Sequence, residues 1–283
     1  MTYEHLWTEE HSQDGAIYGD YMFRLDAKGV CNVFYIPDWH KVCTFTLDKI
    51  EIMRPHSNAV CFGTEFYTKD DEFPLLYSNI YNNYAKEEDR MEGTCCVYRI
   101  TKAGEQFTST LVQIIRIGFV DDLNYWKSLP DNSDVRSYGN FVVDTDHNKL
   151  YAFTMRDANE TTRYFSFDLP KLSDGIFHEK FGVNMVTLQI ADILTYFDCE
   201  YSRYIQGACY HDNHIYSVEG FSSKTFPPKN PAKMRIINLN KEEQSEVIDL
   251  YGIGLEIEPE FVEFYGDKLY YADAKGKIFR FDL

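Results

Sequence analysis

EPEFVEFYGDKLYYADAKGKIFRFDL, residues 258–283, is built as three short strands joined by two tight turns. Phe261 to Tyr265 form the first strand and Gly266-Asp267 the turn. Lys268 to Ala272 form the second, Asp273 to Gly276 turn again, and Lys277 to Asp282 form the third. Aromatic and β-branched side chains suit the pleated, half-buried surface of a strand, whereas Gly and Asp adopt the backbone angles of a tight turn. The unit reads as a four-stranded propeller blade short of one strand.

The theme recurs four times upstream. An apolar strand, a turn of Gly, Asp, Asn or His, and an aromatic strand follow one another in Ala16–Arg24, Ala59–Tyr67, Phe141–Tyr151 and Ala208–Tyr216. Third and fourth strands are assigned to Val30–Ile36 and Val42–Leu47, Thr94–Thr101 and Phe107–Ile117, Arg163–Asp168 and Met185–Ile190, and Met234–Leu239 and Ser245–Leu250. The fifth unit has no fourth strand, and Thr2–Trp7 has no partner in the first. Pairing these two closes the ring and removes the free sheet edge. The sequence therefore predicts an all-β, five-bladed β-propeller, a single domain over 1–283 whose last blade is closed by the N-terminal strand. The wide gap between 59 and 141 leaves six blades as the alternative. The reading taken is one blade with a polar insertion, Asn79–Gly93, and a polar connection, Asp121–Asp134, with a helical turn at Asp121–Leu129. Short helices are expected within Ser173–Val183 and Ile190–Cys199.

Hydrophobic residues make up 44% of the chain and aromatics 16%, too apolar for disorder. The formal net charge of −17 repels phosphate backbones and anionic lipid, which excludes nucleic acid and membrane surfaces as partners. A neutral or basic partner, small molecule or protein, is compatible with it. No apolar run approaches the length of a membrane span. The opening MTYEHLWTEEH has neither the basic start nor the apolar core of a secretory signal, which predicts a cytoplasmic protein unless such a segment was removed. Seven cysteines without CxxC spacing predict buried thiols in a reducing compartment, not a disulfide framework or a zinc site. No cofactor is expected, since the chain has no Gly-rich phosphate loop and no Gly-x-Ser-x-Gly.

In an up-and-down blade, the innermost strand starts on the face that also carries the loop between strands two and three. Those loops are the long ones: Asn79–Gly93, Arg156–Thr162 and Glu219–Lys233. Long loops on a rigid scaffold are where binding sits. The residues leading into the five innermost strands are polar. They are His11, Gln13 and Asp14; His56 and Asn58; Arg136 and Tyr138; Arg203 and Gln206; Glu258 and Glu260. These are the candidate ligand-binding residues, ringing one mouth of the central channel. Arg offers a fork of donors, Glu and Asp accept, and Tyr138 suits stacking on a sugar face. Their plainer role is to bond neighbouring blades and channel water. Glycosidase-like catalysis would rest on Asp14, Glu258 and Glu260, with no acid from a mid-chain blade to oppose them. A metal site of His11, His56 and Asp14 lacks a closely spaced ligand pair. His211 and His214 fall in a tight turn on the opposite face.

Gln206-Gly207 opens one innermost strand, and Glu258-Pro259-Glu260 opens the last. In this the chain resembles bacterial five-bladed propellers of the helveticin-like and teichoic-acid-biosynthesis-protein-C-like kinds. There Gly tends to follow Glu-Pro-Glu, and here Phe261 does. The resemblance implies the propeller fold and carbohydrate or cell-surface binding in an exported protein. The function expected is a non-enzymatic module taking a small polar molecule or glycan at the channel mouth. A protein-interaction scaffold on the acidic, Tyr-rich outer face and a glycosidase-like hydrolase are the alternatives.

Overall fold

Hairpins with one apolar face cannot bury that face alone, so they stack side by side. The computed structural model describes residues 2–10, 12–80, 91, 93–117, 140–156 (backbone only at 155 and 156), 160–202, 204–221 and 228–282. Strand β1 (Thr2–Thr8) comes first. Blade one follows, with β2 (Gly15–Tyr18), β3 (Tyr21–Leu25), β4 (Val30–Tyr35) and β5 (His40–Thr46). Blade two holds β6 (Val60–Phe62), β7 (Leu76–Ile80), β8 (Thr94–Ala103) and β9 (Gln106–Arg116). Blade three has β10 (Asn140–Asp144), β11 (Lys149–Arg156) and β12 (Thr161–Asp168). Two added strands, β13 (Ile176–His178) and β14 (Val183–Thr187), precede its outer strand β15 (Thr195–Glu200). Blade four is β16 (Ile205–His211), β17 (His214–Phe221), β18 (Asn230–Asn238) and β19 (Glu243–Asp249). Blade five is β20 (Pro259–Tyr265), β21 (Lys268–Asp273) and β22 (Lys277–Asp282), with β1 on its outer edge. The innermost strands β2, β6, β10, β16 and β20 touch in that order and back to β2, closing a wheel of five blades.

The closure is antiparallel, from Thr2 opposite Asp282 to Thr8 opposite Lys277, with an irregularity between His5 and Trp7. Tyr3 meets the Phe279 ring edge-on at 5.7 Å between centroids, and Arg280 reaches Glu4 at 2.7 Å. The core lies between blades. Phe23 and Val33 of blade one pack with Phe62, Leu76 and Tyr98 of blade two, and Tyr77 and Val97 pack with Phe141 and Phe165 of blade three. All seven cysteines are free, and six are buried.

Three local assignments differ from the sequence reading. The second hairpin does not turn at Gly63 into Glu65–Tyr67; its second strand is β7, reached through a loop in which Leu75 donates its N–H to the Glu65 carbonyl at 2.8 Å. The reason is burial: Leu76 and Tyr77 are fully enclosed, whereas Phe66 and Tyr67 stay exposed. Asn79 and Ile80, assigned to the polar insertion, belong to that strand. The second difference concerns residues 183–187, which pair in parallel with β9 of blade two and are not the outer strand of blade three. That place goes to β15, because Arg163 forks onto Asp198 at 2.7 and 2.9 Å and Tyr164 stacks on Phe197 at 5.3 Å. The third is that the helices expected within 173–183 and 190–199 are strands β13 and β15 and a short 3-10 turn, Ile190–Asp192. The helical turn assigned to 121–129 lies outside the described residues.

Candidate functional site

At the mouth where the innermost strands begin, the polar side chains join one blade to the next. Asp14 accepts the Val60 N–H at 2.9 Å, bonding blade one to blade two. Asn140 donates to the Ile205 carbonyl at 3.1 Å, bonding three to four. Gln206 donates to Glu258 at 2.7 Å, bonding four to five, and to the Gly220 carbonyl at 3.1 Å. Asn58 accepts from Asn79 within blade two. A Cβ on Gly207 would stand 2.9 Å from both the Asp14 carboxyl and the Glu260 carbonyl, so only glycine admits that approach. The Gln-Gly and Glu-Pro-Glu stretches thus meet in space. Gln13, Asp14 and Glu260 are buried, and His56 is half-buried, its burial lowering the imidazole pKa. His11, Arg136, Tyr138 and Arg203 lie outside the described residues.

Behind this ring sits a residue the sequence reading passed over. Arg24 is 0% exposed; its Nε donates to Glu9 at 2.7 Å and its guanidinium lies 4.4 Å from the centre of the Phe261 ring. Its charge draws down the pKa values of Glu9, Asp14 and Glu260, but burial outweighs it at all three. Glu260 is pushed up to about 9 by burial and by neighbouring Glu258 and Asp14. The available signal was a cation inside the apolar strand YMFRL.

The opposite mouth, where the innermost strands end, opens into a cavity of about 470 Å³ to which all five blades contribute. Tyr18 comes from blade one, Phe62 and Phe66 from two, Thr145 from three, His211 from four, and Glu263 and Phe264 from five. The His211 ring stacks on Phe264 at 3.8 Å and 7°, and Tyr18 packs on Phe62 at 5.5 Å. The Phe264 N–H donates to Glu263 at 2.8 Å, and the Cys209 thiol also bonds that carboxyl. Burial nevertheless lifts Glu263 to about 8, lowers His211, and pushes the Cys61 thiol up. Among the described residues, no Lys or Arg lines the cavity. A larger cleft, about 720 Å³, lies off the channel between the turn at His147 and Leu194. His211, read from sequence as a turn residue, ends β16 and faces the 470 Å³ cavity. Glu263 had one signal, an acid within the otherwise apolar strand FVEFY.

These carboxyls set a pH dependence. Folded Glu260 and Glu263 keep protons that the unfolded chain releases above about 4.5. Their contribution to stability is whole below that value and declines as pH rises towards 8 and 9. The expected slope is about 1.4 kcal/mol per pH unit for each held proton. Urea unfolding between about pH 5 and pH 9 measures it. Glu260→Gln should remove one proton's worth of slope, and an unchanged slope contradicts the assignment.

No family model matches the sequence, and no curated protein does. Solved structures do match. Glutaminyl cyclase of Myxococcus xanthus, a bacterial five-bladed propeller, has a TM-score of 0.52 over 98% of this chain and 94% of its own, at 10% identity. Hydrazine synthase of Kuenenia stuttgartiensis is matched over 91% of this chain and 60% of that one, and the computationally designed Ika8 protein over 99% and 98%; both are 10% identical, with TM-scores of 0.44 and 0.38. The first match shows the fold, and the other two carry no argument. The resemblance to helveticin-like and teichoic-acid-biosynthesis-protein-C-like propellers is supported only as far as the β-propeller fold.

Proposed function

We propose that this propeller is a non-enzymatic binding module that takes a small polar molecule in the cavity where the innermost strands end. The observation that carries the reading is that all five blades line one concave space within the size range of ligand pockets. Its walls combine the rings of Tyr18, Phe62, Phe66, Tyr210 and Phe264 with the polar side chains of Thr64, Thr145, His211 and Glu263. Chemistry is not favoured there. Among the described residues the lining offers one carboxyl without a second acid opposite it, and its thiol, Cys61, is held in the unreactive protonated form. The cyclase activity of the Myxococcus protein is not carried over, since 10% identity supports only the fold. At the other mouth, Asp14, Asn140 and Gln206 bond blade to blade. A thermal-shift screen of neutral and charged metabolites, followed by calorimetry, tests the reading. Phe264→Leu is expected to weaken the best binder by tenfold or more, while Gln206→Ala leaves its affinity alone. Affinity that depends on Gln206 and Glu258 but not on Phe264 would move the site to the other mouth.

A further inference from the structure

We infer that the ligand of this cavity is an organic cation, an alkylammonium group seated among the rings against Glu263; the inference rests on the cavity being the binding site. Three observations converge. The wall is aromatic, with Tyr18, Phe62, Phe66 and Phe264 supplied by three blades, and ring faces attract a positive charge that has shed its water. The Glu263 carboxyl lines the same space, and its bonds among the described residues come from an N–H and a thiol, not from a cation. Among the described residues no Lys or Arg lines the cavity to compete, and the net charge of −17 draws cations towards the protein. A phosphate or carboxylate ligand would meet Glu263 with no donor fork to offset it.

The titratable groups around Glu263 include Cys209, Tyr210 and His211 on β16, Cys61 on β6, Tyr18 on β2 and Asp14 just before β2. Burial raises both thiols and Asp14 and lowers His211, so the two thiols and the imidazole are uncharged near neutrality. Glu263, held at about 8, is itself mostly protonated there. A bound ammonium favours the carboxylate, so each binding event expels a proton. Affinity for a quaternary ammonium, whose own charge does not titrate, should therefore rise as pH rises, by up to about tenfold per unit below about 8, and then level off. A neutral ligand accepting a hydrogen bond from the protonated carboxyl would show the opposite slope.

Calorimetry decides, using choline, tetramethylammonium and benzylamine, with dimethylbutanol as the uncharged isostere of choline and a panel of neutral sugars. The expected result is that a cation binds at least tenfold tighter than its isostere and releases a proton, seen as a buffer-dependent heat. Glu263→Gln, close in shape to the protonated acid, should keep the fold, erase the preference and flatten the pH slope. A sugar or the isostere binding as tightly, still weakened by Phe264→Leu, would overturn the cation and leave the site standing. Failure of every probe to bind, or binding indifferent to Phe264→Leu and Glu263→Gln in folded variants, would remove both.

Discussion

Replacing Arg24 by methionine is expected to cost about 3–5 kcal/mol of stability near neutral pH, the usual penalty for breaking a buried ion pair from one side. Arg24 is fully enclosed, and its partner Glu9 is almost as deeply buried. Methionine keeps much of the volume and the contact with Phe261, so the loss is electrostatic. Without the guanidinium, the Glu9 carboxyl, already disfavoured by burial, loses the charge that draws it down. The sign with pH follows. Protonated acids need no counter-charge, so the gap between variant and parent should narrow as pH falls through the carboxylate range. Adding Glu9→Gln to Arg24→Met should recover part of the loss, because a neutral amide replaces the stranded acid. Urea unfolding of the four chains in the cycle measures each term. A cost under about 1 kcal/mol that does not vary with pH would show that Arg24 packs there without acting as a charge.

Removing residues 2–8 while keeping Glu9 should be about as damaging, roughly 3–6 kcal/mol, from six cross-strand pairs and the ladder bonds between them. That is a large share of the net stability of a domain. The strand itself is mostly exposed, so little buried apolar area goes with it. What changes is β22, whose outer edge becomes a row of unpaired N–H and C=O groups beside Ile278, Phe279 and Phe281. The truncated chain should unfold at lower urea and scatter light as it self-associates. A synthetic peptide of the same sequence added in excess should restore the midpoint by mass action. An unchanged midpoint would mean that the wheel holds without its final strand.

How far the sequence was readable depended on whether its signal was local. Tight turns announce themselves, as Gly19 and Gly266 do with φ of +55° and +60°. Alternating apolar strands beside such turns identify hairpins, and five hairpins with an unpartnered strand at each end of the sequence leave closure as the way to remove the edge. Loops and choices between similar strands were not readable this way. Residues 65–67 and 76–80 both look like strands, as do 185–190 and 195–200. Only three-dimensional partners discriminate, through the enclosure of Tyr77 and the fork of Arg163 on Asp198.

The candidate site divides along the same line. Chain order determined that Gln206 and Glu258 share a mouth, because successive innermost strands run in the same direction around the ring, and they meet at 2.7 Å. It did not determine that a cavity opens where the innermost strands end. That depends on how side chains from five separated segments fill the channel, with Asp14, Gly207 and Glu260 packed closely at one end and Tyr18, Phe66, Glu263 and Phe264 leaving space at the other. Hydrophobic period and turn chemistry are properties of neighbours along the chain, so sequence alone determined a propeller and its closing strand, with five blades read and six as the alternative. Enclosed volume and the protonation of a buried acid are properties of neighbours in space, and only the tertiary structure decided them.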